Sequence, residues 1–157
     1  MSSILTRDGK ASVGTFLMTN ITHMAVGRGD WGDIPAPPSP TFGQTTLKDE
    51  IGRSPISSYN YLVEDPLGAI VHDEKTWSVS IDATNTIQFV ASIPSGMIVG
   101  ETIREMGFFG DGVDVDGGNY QDFANVRDQG HLFIVENLDG MLIGEDQTFT
   151  RKFRLTL

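Results

Sequence analysis

The chain has 157 residues, no Cys, and 11 Lys+Arg against 21 Asp+Glu, for a formal net charge of -10. That length suits a single domain with its own core, and without Cys there is no disulfide framework, thiolate metal site or Cys nucleophile. Acidic chains are repelled by phosphate backbones and anionic bilayers, no apolar run nears the roughly 18 residues that span a membrane, and the N-terminus lacks a signal-peptide pattern, so neither nucleic acid nor membrane is an expected partner.

Eighteen Gly and seven Pro favour turns and short strands over long helices. Residues 1–14 are polar and contain Gly, and read as an extended arm or first loop. Thr15 to Val26 (TFLMTNITHMAV) reads as one or two strands. Gly27 to Gly43 is a Gly/Pro-rich loop in which Pro35, Pro37, Pro38 and Pro40 cannot donate to a sheet ladder. A short helix is expected near residues 45–53: Thr45 or Thr46 can cap it, Leu47 and Ile51 share a face at i, i+4, and Gly52 and Pro55 end it.

The remainder has strand character. Trp77, Val79 and Ile81 alternate with Ser78, Ser80 and Asp82, which favours a core position for Trp77. Ile87, Phe89, Ala91 and Ile93 alternate with Gln88, Val90 and Ser92. Leu132 to Val135 is a compact apolar run. In the last strand, Phe149, Phe153, Leu155 and Leu157 oppose Thr148, Thr150, Lys152, Arg154 and Thr156. The expected fold is mainly β (α+β): one antiparallel, sandwich-like domain over 1–157 with one short helix and long loops.

Several motifs have a functional and a plain reading. Gly27-Arg28-Gly29-Asp30-Trp31-Gly32 matches a dinucleotide pattern, but the Pro cluster after it cannot be the helix that would receive a pyrophosphate. Its Arg28-Gly29-Asp30 tripeptide is explained by a Gly turn. Asp111, Asp114 and Asp116 resemble a calcium loop whose spacing then fails, because Gly118 and Asn125 stand where ligands are needed; a solvated acidic turn is the better reading. His23, His72 and His131 are scattered and read as structural. Glu64/Asp65 and Asp73/Glu74 could serve as glycosidase pairs but flank a turn region. The sequence thus predicts no enzyme, no cofactor and no metal site.

Thr102-Ile103-Arg104-Glu105-Met106-Gly107-Phe108-Phe109 puts two charges inside an apolar strand. Adjacent strand residues face opposite sides, and a buried charge needs a partner. Glu50 and Arg53 are the expected partners of Arg104 and Glu105, pinning the short helix to the sheet.

The string Ile21-Thr22-His23-Met24-Ala25-Val26-Gly27, a Pro-rich loop, Gln44 to Arg53 followed by Pro55-Ile56, then Phe89 to Pro94, Thr102 to Phe109 and a closing strand at Thr148–Leu157 resemble the N-terminal, baseplate-attachment domain of phage tail (collar) fibre proteins. The resemblance covers roughly residues 20–110 and the C-terminus. It implies a structural virion protein of the tail, assembled in the host cytoplasm, that links baseplate and receptor-binding fibres as a homotrimer or ring-bound subunit. The family often begins with a helical segment, which residues 1–14 do not predict, and residues 111–137 read as an insertion. The chain also ends where the domain ends, so it is expected to be an attachment domain standing alone. The expected interface residues are Arg28, Asp30, Trp31, Pro37 and Pro38. The competing function is a carbohydrate-binding β module that grips host glycans with Trp31, Trp77 and acidic loops.

Overall fold

The structure is a computed structural model and describes residues 3–32 and 36–157. Met1 and Ser2 of the expected arm, and Asp33, Ile34 and Pro35 of the Pro-rich loop, lie outside the described residues. The fold is mainly β with a single helix among them. In chain order the elements are α1 (Arg7–Asn20), β1 (Ile21–Gly27), β2 (Glu50–Glu64), β3 (Ile70–His72), β4 (Lys75–Ser80), β5 (Thr86–Ile93), β6 (Thr102–Gly110), β7 (Asp114–Val115), β8 (Gln121–Asp122), a 3₁₀ turn (Phe123–Asn125), β9 (Val126–Asp128), β10 (His131–Leu142) and β11 (Phe149–Thr156).

The helix is not where the sequence pattern put it. Residues 7–14, expected to be extended, and 15–20, expected to be strand, form α1. Thr6 caps it, its Oγ1 accepting from Gly9 N at 3.2 Å. Inside the helix Ser12, Thr15 and Thr19 hydroxyls and the Asn20 amide each donate to the carbonyl four residues back. Polar side chains that usually compete with a helix are thereby satisfied by it. Gly14 is its buried residue, and a Cβ there would lie 3.2 Å from Ile87 Cγ2, so the glycine permits close packing.

Conversely, residues 45–53 are not a helix: a bent segment leads into β2 at Glu50. Gly52 does not break a helix there. It makes room in a sheet, because the Tyr120 hydroxyl and the Gln121 carbonyl occupy the space of its missing side chain.

The chain divides into two compact units. One comprises the described residues up to Asn20, with Ser57–Val90 and Arg151–Leu157; the other comprises Ile21–Ile56 and Ala91–Thr150. β2, β5 and β11 contribute residues to both. In the first unit β2, β4 and β3 pair in that order, all antiparallel, around buried Leu62, Trp77, Ile87 and Phe89. Tyr59 meets Phe89 edge-on at 5.8 Å. Of the alternating Trp77, Val79 and Ile81, only Trp77 is buried. In the second unit the order is β10-β6-β1-β2, with β8 on β2, again antiparallel. Its core includes Ile21, Met24, Val26, Ile103, Met106 and Phe108, each 1% exposed or less, beside a cluster of Ala25, Leu47 and Phe109. The segment between β6 and β10 carries the small β7–β9 pair.

β3 and β4 are joined by Asp73-Glu74, the two-residue turn of a hairpin in which His72 faces Lys75. Both residues have positive φ, 49° and 64°, as a tight primed turn requires. This conformation disfavours non-glycine residues. Glu74→Gly should therefore stabilise the protein by up to about 1 kcal/mol despite the entropy that glycine adds to the unfolded chain. A lower urea midpoint than the parent's would contradict this.

Candidate functional site

Glu50 and Arg53 of β2 and Glu105 of β6 are buried, and their partners differ from those expected. β1 and β2 slip by one residue: Val26 faces Gly52 and Gly27 faces Glu50, leaving Ile51 as the extra residue of a β-bulge. The bulge brings Glu50 and Arg53 onto one side. There they form a bidentate pair, Nε to Oε1 at 2.8 Å and Nη2 to Oε2 at 2.7 Å, with side chains 2% and 0% exposed. Arg53 also donates to the Gln129 carbonyl at 2.9 Å and lies 4.4 Å above the Phe109 ring. Fork geometry, a second acceptor and a ring face together make a buried guanidinium tenable.

Glu105 is fully buried, and it is not Arg53 that receives its carboxylate. Its oxygens accept from the backbone N–H of Lys48 (2.9 Å), Asp49 (2.7 Å) and Gly29 (3.3 Å). Gly27 must be glycine, since a Cβ there would run into the Glu105 carboxylate and lie 2.7 Å from the Asp49 carbonyl. Arg104 is half-buried beside Gly140. The charged cluster therefore forms two centres, Glu50–Arg53 and Glu105 with its three amides.

Arg28 completes the framework. Its guanidinium grips Glu101 through two 2.7 Å bonds and reaches Asp49 at 3.2 Å, while its own N–H donates to the Asp49 carbonyl at 2.9 Å. The hydrogen bonds from Arg28 hold the Glu101 carboxyl below the usual range, and those to Glu101 raise Arg28. The glycine pattern Gly27–Gly32 thus serves a clamp: Gly29 has φ +65° and packs against the Trp31 ring. Of the expected interface residues, Arg28 is engaged within the chain, Asp30 and Pro38 are exposed, and Trp31 and Pro37 are half-buried. Asn137 Nδ2 donates to the Pro38 carbonyl at 2.6 Å, fastening the loop. The residue that sequence reasoning missed is Phe42. It is fully exposed and lines a mixed recess of about 360 Å³ with Thr41, Gln44, Leu132, Ile134 and Val135.

Six of the seven acids with catalytic or metal readings are committed elsewhere, Glu74 excepted. Glu64 pairs with Lys75 at 2.8 Å, and Asp73 with Arg154. Asp65 accepts from Ser78 and from Leu67 N, which lowers its carboxyl. In the acidic turn the Arg127 guanidinium reaches Asp114 at 3.0 Å and Asp116 at 2.8 Å, standing where a cation would. The three histidines bond separately, His23 to Thr22, His72 to Gln88 and His131 to the Asp111 carbonyl. For glycan binding, Trp31 and Trp77 belong to different units. Trp77 is 7% exposed, with Arg154 stacked 4.8 Å over its ring, so a sugar cannot use that face.

Two outcomes follow. Arg53→Ala strands the Glu50 carboxylate in the core and should cost about 3–5 kcal/mol, whereas Arg28→Ala breaks a half-exposed pair worth about 0–1 kcal/mol. Equal losses in urea melts would contradict the assigned burial. Burial, reinforced by Arg53, lowers the His23 pKa below 6.5, and burial and Arg154 lower that of His72. On acidification below about 6.5 the unfolded chain takes up protons that the folded one resists, so stability should fall from there until the folded residues titrate. Thermal melts of His23→Gln/His72→Gln should show a flatter slope in that window.

Among curated proteins, none matches the chain. The profile of the family described as "Baseplate wedge 3 tail fiber network component" matches residues 2–157. No described helix is long and apolar enough to cross a membrane. With the match covering nearly the whole chain, the protein belongs to this family of phage baseplate and tail-fibre structural proteins.

Proposed function

We propose that the protein is a non-enzymatic adaptor that joins the phage baseplate to receptor-binding fibres through protein–protein contacts, acting as a homotrimer or a ring-bound subunit. Repeated, symmetric docking sites on a tail favour one surface patch used many times. The family supplies the setting. The observation that carries the reading is Phe42, a fully exposed aromatic on a segment fastened at both sides, by Glu105 to Lys48 and Asp49 and by Asn137 to Pro38. An aromatic presented on a pre-ordered loop loses little entropy on binding and anchors interfaces well. The contacts are expected to centre on this loop, on Phe42 and on Asp30, Trp31, Pro37 and Pro38.

Phe42→Asp tests this reading. It should leave the melting temperature within error and sharply reduce incorporation into tails, read by quantitative mass spectrometry of purified virions. Normal occupancy of the variant, or absence of the native protein from virions, would overturn the reading.

A further inference from the structure

The formal charge is divided unevenly. The first unit holds Arg7, Lys10, Lys75, Arg151, Lys152 and Arg154 against Asp8, Glu64, Asp65, Asp73, Glu74 and Asp82, so it is neutral. The remaining 5 of the 11 basic and 15 of the 21 acidic residues lie in the second unit, which carries the whole -10. Six of these acids have partners that build the framework: Glu50 with Arg53, Glu101 and Asp49 with Arg28, Asp114 and Asp116 with Arg127, and Glu105 with amides. Asp30, Asp139, Glu145 and Asp146 are exposed and make no ion pair among the described residues, and of these Glu145 and Asp146 are adjacent. Their turn is held by Gly144 N donating to Gln147 Oε1 at 2.7 Å.

A groove of about 480 Å³ in the first unit has the complementary chemistry. Lys75 and Arg154 line it, each already paired with an acid of the same wall, Glu64 and Asp73. Arg7, the first residue of α1, also lines it and has no ion-pair partner among the described residues, so one positive charge is uncommitted. A helix N-terminus adds to the attraction for an anion. Trp77 supplies an independent sign: it is more than nine-tenths buried, lines the groove, and its indole N–H has no acceptor among the described residues. A buried donor without an acceptor is costly until one arrives. A carboxylate in the groove is the counter-charge that Arg7 lacks and the kind of acceptor that the indole N–H lacks.

We infer that this groove receives the Glu145–Asp146 turn of a second copy of the chain. The charge division favours a copy as the occupant, since the acidic unit of one molecule meets the cationic groove of another. This deepens the ring-bound reading of the proposed function and rests on it. Such a contact is heterologous: turn and groove are different patches, so each molecule can both donate and receive, which builds rings or extended arrays.

The test is sedimentation velocity of the full purified chain over a concentration series, at low and high salt. The native chain should self-associate, and salt should weaken it. Arg7→Glu and Glu145→Lys/Asp146→Lys alter exposed residues and should each weaken association by about tenfold or more with unchanged melting curves. Mixing the two variants should restore it, because the native turn of the first meets the native groove of the second. A monomeric native chain, undiminished association in either variant, or no rescue on mixing would overturn the inference. A native chain that is monomeric yet present in virions would leave the adaptor reading intact and remove only this contact.

Discussion

The fully buried carboxylate of Glu105 is the constraint on which the described loop geometry depends. An isolated carboxylate in a core is untenable, and here neutralisation comes from backbone dipoles: the N–H groups of Lys48, Asp49 and Gly29 converge on its two oxygens. Those amides belong to segments about twenty residues apart in sequence, before and after the Pro-rich stretch. One side chain from β6 therefore closes the base of the loop. Gly27 follows from it, since a side chain there would displace the carboxylate. So does Arg28, whose own N–H is bound to the Asp49 carbonyl, leaving the guanidinium to bridge Asp49 and Glu101.

The Glu50–Arg53 pair meets the same difficulty by another route. Residues three apart on a regular strand point to opposite faces. The bulge at Ile51 removes that conflict and lets both oxygens of Glu50 face the guanidinium. Hydrophobic residues of similar volume would be at least as stable in such a place. What the pair adds is direction: it ties β2 to the Gln129 carbonyl and to the Phe109 ring, contacts that a Leu in either position would leave unspecified. The register between β1 and β2 is fixed where the loop begins.

This bulge also explains why the helix was misplaced in the sequence. Leu47/Ile51 and Glu50/Arg53 show the i, i+4 and i, i+3 spacings of a helix face, and a bulged strand reproduces the second of them. The true helix was hidden for the opposite reason. Ser12, Thr15, Thr19 and Asn20 lower the expectation of a helix, and only side-chain bonds to the previous turn make them compatible with one. Period-two patterns fared better where one face is dry: Ile87, Phe89, Ala91 and Ile93 are all fully buried. They failed at Val79 and Ile81, which are exposed although they continue the alternation of Trp77. Arg104 and Glu105 stood out in the sequence as charges in an apolar strand that need partners, and Glu50 and Arg53 as the partners on offer. Their pairing did not, because backbone amides as partners leave no trace in residue identity. Phe42 was equally illegible, since a lone aromatic between Pro-rich and polar segments carries no pattern.

The acidic balance acquires a physical sense once the pairings are known. Seven of the fifteen carboxylates of the second unit are tied to Arg28, Arg53, Arg127 or backbone amides, so these build local structure and contribute little attraction to passing surfaces. The residual field is nevertheless strongly negative, and like-charged molecules repel one another at any contact that lacks a specific cation. A subunit of an ordered assembly benefits from this. Random collisions are disfavoured, while a partner that presents a cation in the right groove, or an apolar pocket for Phe42, gains both attraction and register. Specificity then comes as much from the contacts the charge forbids as from those it permits.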